Sequence, residues 1–408
     1  MGLLDWLFRG PTLKDVADKV VQSLCRRGAE DIQVNLPMAE IKARMPGDSP
    51  VRIYLGNLFA DYQRSPRRER AGLLERFLDG IATPDTGIPA SYADAAPRLM
   101  PVVRNASDMG IAALTAARSP SDKPYSGPAH RTLAADVIVA LVCDMPTAMA
   151  YVTEQQLVDW QVSFDAALEQ ALLNLRDLPE ATGWKEIAPG VWLGEWGDSY
   201  DSSRLLLPDL IHRLSVPEPV ALAPFRNALL VTSARNEAGV QLMATIVDRV
   251  LADNPRWLSF EPLRLDGQHW VPHELTPAER EPFRVLNERN HEAVYASQKQ
   301  LLDDLYQTNK TDVFVASYQL MQREDGPLRS MAVWTQGVDT LLPPTELIAF
   351  VMPGEGDEST HWLCAWADVQ EIAAPLIEVT DMVPARWRVR AFPDDAMVAR
   401  LREREAAI

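Results

Sequence analysis

Residues 135–145, ADVIVALVCDM, hold an apolar run with no interruption from Val137 to Cys143. A strand with one face in water alternates apolar and polar side chains, so a continuous run marks a strand covered on both faces. Such a strand belongs inside a layered domain. With 408 residues the chain is also too long for a single small core, and two or three domains are expected.

The neighbouring segments repeat one pattern. AMAYVTEQQL continues the run as a second strand into a turn, and WQVSFDAALEQALLNLRDL follows as a helix. In that helix Phe164, Leu168, Ala171, Leu172 and Leu175 recur at spacings of three and four, and Pro179 closes it. KEIAPGVWLGEW reads as two further strands. FRNALLVTSARNEAGVQLMATIVDRVLADN then gives a strand, a polar turn and a helix that places Met243, Ile246, Val247 and Val250 on one face. WLSFEPLRLDGQHWVPHE forms a hairpin around Asp266 and Gly267. Strand pairs followed by helices define an α+β fold, with helices packed on mixed, largely antiparallel sheets.

On either side the pattern changes. The N-terminal part reads α-β-β-α: a helix at 13–27 with Val16, Val20, Val21 and Leu24 on one face, strands DIQVNL and VRIYLG, and an Arg-rich helix ending near Gly80. RSPSDKPYSGPAH, residues 118–130, is a linker. From Thr276 a long charged helical region, broken at Pro282, leads into the strands DVFVASYQLM, RSMAVWTQG, TELIAFVM, THWLCAWA and RWRVRAF. Trp334, Trp362 and Trp366 alternate within these strands as core residues. The expected division is 1–128, an N-terminal α+β part; 129–275, an α+β core; and 276–408, a separate C-terminal α+β domain.

Four motifs carry a resemblance. NLRDLP (Asn174 to Pro179), the Gly197 to Leu205 segment and ARNEAG (Ala234 to Gly239) follow one another in an order and spacing that resemble the YtpQ-like family of uncharacterised bacterial proteins, and MPVVRN (Met100 to Asn105) resembles that family's P-V-I-R segment, over about residues 13–275. Ser199 stands where that family favours Gly. The resemblance implies an intracellular bacterial protein and transfers no catalytic residue.

Charge and cysteine usage narrow the function classes. A net charge of −17 argues against nucleic acid as a partner, which needs a concentrated excess of Lys and Arg. Arg64, Arg67, Arg68, Arg70 and Arg76 meet only Glu69 and Glu75; they read as a solvated helix face, with an acidic partner or anionic surface as the alternative. Cys25, Cys143 and Cys364 are far apart and beside no His, which suits a reducing, cytoplasmic compartment. MGLLDWLFRG lacks the cationic region of a secretory signal, and no stretch is long enough to span a membrane. Leu3, Leu4, Leu7 and Phe8 form one side of an amphipathic segment that docks on its own protein or makes a weak peripheral contact with a membrane or partner.

GDSYDSSR, Gly197 to Arg204, begins like the nucleophile elbow G-x-S-x-G, but Asp201 replaces the second glycine and the preceding strand looks antiparallel. His212 lies a helix further on. Ser199 is therefore not read as a nucleophile. Asp198 and Asp201 instead suit a helix start, Asp198 as cap and Asp201 reaching back to it, with Arg204 pairing to Asp201 or stacking on Tyr200. In ARNEAG, Asn236 is the cap, Glu237 favours the first turn and Arg235 ends the strand. Arg176, Asp198, Asp201, Arg204, Arg235 and Glu237 then form either an ion-pair network or a pocket for a carboxylate or phosphate. His269 and His273 have Pro272 between them, which excludes the helical geometry of an H-x-x-x-H metal site, and no P-loop is present. No metal or cofactor is expected. Two functions remain: a non-catalytic binding or adaptor module with an unknown protein partner, or an enzyme or sensor taking a small charged ligand at Asp201, Arg204, Arg235 and Glu237.

Overall fold

The computed structural model describes residues 11–36, 40–46, 49–82, 88–118, 125–145, 149–178, 183–196, 198, 200–251, 257–322, 326–354 and 358–406. The amphipathic segment 1–10, Gly197, Ser199 and residues 119–124 of the expected linker lie outside them. The chain divides into two compact units, residues 1–98 with 143–150, and residues 99–142 with 151–408.

In the first unit, helix α1 (Leu13–Arg26) starts from a capping box in which Thr12 and Asp15 satisfy each other's backbone N–H groups. It buries Val16, Val20 and Leu24, and Gly28 ends it in the left-handed region at φ +80°. Three antiparallel strands follow in the order β1 (Glu30–Asn35), β2 (Glu40–Met45) and β3 (Ser49–Tyr54), then helices α2 (Leu55–Arg64) and α3 (Arg70–Ala82). The sheet has one strand more than expected. In β2, Ile41, Ala43 and Met45 are buried while Lys42 and Arg44 are exposed, so the period of two was present but short and charged.

The second unit contains β4 (Leu99–Asn105), helix α4 (Ala106–Ala117), β5 (His130–Ala134), β6 (Val137–Asp144) as far as Val142, and Tyr151, the last residue of β7 (Met149–Tyr151). β6 lies between β4 and β5, and residues 137–143 are all buried, as the apolar run requires. Helices α5 (Glu154–Asp159) and α6 (Phe164–Arg176) come next. An antiparallel sheet of six strands follows, in the order β13 (His269–Pro272), β12 (Leu263–Asp266), β10 (Pro219–Phe225), β11 (Ala228–Ser233), β9 (Val191–Glu195), β8 (Gly183–Ala188). A short helix, α7 (Pro208–His212), precedes β10.

This sheet is covered on both faces. Ala221, Ala223, Leu229 and Val231 pack with Val103, Val137, Leu205 and Ile211 on one side. On the other, Val220, Leu222 and Leu230 pack with Val240, Met243 and Val247 of α8 (Glu237–Val250), and with Phe283 and Leu286 of α9 (Pro277–Asn309). Helix α9 runs unbroken for 33 residues with Pro282 inside it, where a break was expected. The proline falls near the helix start, and burial of Phe283 and Leu286 directly after it holds the continuing turns in place. The boundary expected at residue 276 thus coincides with the start of a helix that contributes to the core of the preceding sheet.

Two four-stranded sheets complete the chain. One has the order β15 (Gln319–Met321), β16 (Arg329–Thr335), β18 (Leu347–Pro353), β19 (Ser359–Ala365); the other has β14 (Phe314–Val315), β17 (Thr340–Leu342), β21 (Trp387–Val389), β20 (Ile377–Val379). Each contains one parallel pair, β16 with β18 and β14 with β17. Trp334 and Trp362 are buried with Phe350 between them, and Trp366 packs on Trp387. The architecture is α+β, with mixed sheets and no closed barrel among the described residues.

Candidate functional site

Strand β9 ends at Glu195, and the indole of Trp196, the next residue, folds back across Gly194: a Cβ there would lie 2.3 Å from Trp196 Cζ3. The chain then turns on Asp198, whose Oδ1 accepts from Tyr200 N at 3.0 Å, and enters a 3-10 turn at Ser202–Leu206. Arg204 is 3% exposed and donates to both oxygens of Asp198, at 2.9 and 2.6 Å, with its guanidinium 4.3 Å from the centre of the Trp196 ring. Burial pushes the Asp198 carboxyl up, yet the Arg204 pair and the Tyr200 N–H outweigh it and hold the group below the ordinary aspartate range. Asp201, 1% exposed, accepts from Trp196 N at 2.8 Å.

These contacts correct the expected capping box. The 3-10 turn starts only at Ser202, so Asp198 lies three residues ahead of the cap position, which Asp201 occupies with no capping bond from its side chain. Its carboxylate ties the turn to the end of β9 instead. Arg204 pairs with Asp198 rather than Asp201, and stacks on Trp196 rather than Tyr200.

A cavity of about 550 Å³ opens beside this turn. Helix α8 packs on β10 and β11, and the hollow lies where its flank meets β8 and β9. Ile187, Leu193, Leu230, Ile246 and Val250 form apolar walls, while Glu195, Asp201 and Asn227 bring polar groups to one end with Trp196. Trp196 also borders a smaller hollow of about 100 Å³, lined by Arg176, Arg204, Arg213 and Asp209. There Arg176 donates to Asp209 at 2.9 Å.

Arg235 and Glu237 lie elsewhere. Ser202 N donates to Arg226 O, so the Asp198–Arg204 turn sits by the start of β11, whereas Arg235 and Glu237 follow its end. The six residues of β11, at about 3.4 Å each, separate the two groups by roughly 20 Å. Arg235 pairs with Glu218 at 2.5 Å, both side chains well exposed, and Glu237 accepts from Thr276 Oγ1 at 3.0 Å. Asn236 caps α8 as expected: its Oδ1 accepts from Gly239 N at 3.0 Å. A Cβ at Gly239 would meet Asn236 Nδ2 at 2.5 Å and Thr232 Oγ1 at 2.6 Å, so the last glycine of ARNEAG is needed for close packing. The structure therefore brings Arg176, Asp198, Asp201 and Arg204 together and leaves Arg235 and Glu237 apart.

The two histidines of H-x-x-x-H are split by their strand. His269 is exposed in β13, and His273 beyond its end lies 3.4 Å from the buried carboxylate of Glu279. His212 faces Gly267 O at 3.2 Å.

A second polar cluster went unnoticed in the sequence. Asp136 accepts from Asn105 Nδ2 at 2.5 Å and from Ser259 Oγ at 2.6 Å. Nearby, Glu261 accepts from Asn287 Nδ2 at 2.8 Å and its backbone N–H donates to Ser259 Oγ at 3.1 Å. Burial raises both carboxyls, and the charge of Asp136 raises Glu261 further. His291 on α9 is accessible but walled by protein, and this desolvation pulls it down while Asp136 opposes the shift. Asn105, the last residue of MPVVRN, was the one member inside a noted motif; the others are polar residues in three separate segments.

Comparison of the chain with protein-family models, with curated proteins and with solved structures gives no match. Among the described residues no helix is long and apolar enough to cross a membrane.

Proposed function

We propose that this chain is a non-catalytic binding protein whose cavity between α8 and the β8–β9 edge takes a small, largely apolar molecule. One observation carries the reading: a hollow of about 550 Å³ with aliphatic walls and its polar groups gathered at one end, the usual make-up of a ligand site. The charged residues beside it are engaged in holding the turn, Arg204 by Asp198 and Asp201 Oδ1 by the Trp196 N–H. That favours recognition over catalysis.

Membership of the YtpQ-like family is proposed on the same footing. Its motif residues act as ties within one fold: Asn174 donates to Leu99 O at 2.8 Å, joining NLRDLP to the residue just before MPVVRN, and Asn236 donates to Pro189 O at 3.3 Å. A reducing, cytoplasmic setting accords with the free thiols of Cys25, Cys143 and Cys364.

Titration with the neutral fluorophore N-phenyl-1-naphthylamine tests the site. We expect saturable binding, with Trp196 emission changing in step, weakened at least roughly tenfold by Ala228→Trp or Val250→Trp at an unchanged melting temperature. Non-saturable uptake, or affinity indifferent to both substitutions, would sink the proposal.

A further inference from the structure

We infer that the cavity selects molecules with an apolar body and a positively charged end, such as a primary amine; this rests on the cavity reading above. The walls supply no preference among apolar ligands, so selection falls to the polar end. Among the described residues that end is one-signed: Glu195 and Asp201 line the cavity beside Asn227, and no described Lys or Arg is in its lining. The nearest arginine of the turn does not redress the balance. Arg204 also lines the smaller hollow that Trp196 borders, and its guanidinium is taken up by both oxygens of Asp198.

The two carboxylates differ in reach. Glu195 has Lys185 at 3.8 Å, but both side chains are about half exposed or more, so water and salt screen that pair. Asp201 is 1% exposed and held in position by the Trp196 N–H, so its charge acts through low-dielectric surroundings. A ligand ammonium at this end meets opposite charge there. A ligand carboxylate would meet like charge, with no guanidinium among the described lining residues to receive it.

The test uses the full chain and ligands sharing one apolar body. Decylammonium, decanol and decanoate, each below its aggregation limit, compete with N-phenyl-1-naphthylamine. Decylammonium should displace the probe at roughly tenfold lower concentration than decanol, with decanoate weakest. Raising the salt from about 0.05 M to about 0.5 M should narrow that gap. In Asp201→Asn, decylammonium and decanol should converge to within about threefold; should that variant fail to fold, Glu195→Gln must reduce the preference. If the three displace the probe equally, or decanoate does so best, charge selection is wrong and the apolar cavity survives. If the probe itself does not bind the unaltered chain, both readings fall.

Discussion

The two ends of β11 carry polar strand-to-helix turns that look alike in sequence. At its start, Asp198, Asp201 and Arg204 are drawn under the Trp196 ring, and Asp201 and Arg204 are almost wholly buried beside a hollow. At its end, Arg235 and Glu237 remain on the surface, paired with Glu218 and Thr276, while Asn236 and Gly239 do the close packing. Charge content does not separate these turns. What separates them is the large aromatic before the first turn, set against a glycine that admits its ring, which converts a surface helix start into an interior wall.

Substitutions can break or sharpen that contrast. Arg204→Ala removes a buried guanidinium from a bidentate pair and should cost on the order of 3 kcal/mol in urea unfolding. Arg204→Lys should recover less than half of it, because an ammonium cannot reproduce the fork or the stacking. Gly239→Ala forces a methyl into occupied space at the other end and should cost about 2 kcal/mol; a neutral result there would show that Asn236 can move away. Arg235→Ala removes an exposed pair and should change stability by less than about 0.5 kcal/mol.

Acid titration should divide the ends as well. Asp198 is held below its unfolded range, so its contribution is present above that range and lost as pH falls through the lowered value. The stability gap between the unaltered chain and Arg204→Ala should therefore persist down to the ordinary aspartate range and shrink as pH falls below it. Asp136 and Glu261 are raised instead, so they oppose folding once ionised. Glu261→Gln keeps an acceptor for Asn287 and should gain more, relative to the unaltered chain, at neutral pH than in acid. A difference curve flat with pH would show that Glu261 titrates normally.

Much of the fold was legible where one physical rule dominates. Val137 to Cys143 could only be an interior strand, and Asn236 before Glu237 could only open a helix. Helix α4 was not legible: ASDMGIAALTAA is apolar nearly all round, lacks a clear face, and none of its residues is fully buried. Pro282 misled because a local rule met a stronger tertiary one. At the candidate site, residue types pointed to the right turn, but which aspartate held Arg204 depended on the position of Trp196 across it. The Asp136 cluster was invisible for a plainer reason: Ser259 and Asp136 are 123 positions apart, and no spacing rule joins them.

Helix α9 has a consequence for the order in which this chain is made. At about 1.5 Å per residue it is a rod roughly 50 Å long, with Phe283 and Leu286 in the core of the six-stranded sheet and Leu302 packed with Val315 and Leu341. On the ribosome, β8 to β13 emerge with α8 covering only part of one face, and the rest of that cover is added by the first turns of α9. A nascent chain paused near residue 276 holds a complete sheet whose α8 face still lacks Phe283 and Leu286, so the core of the sheet is finished only by residues made after its last strand.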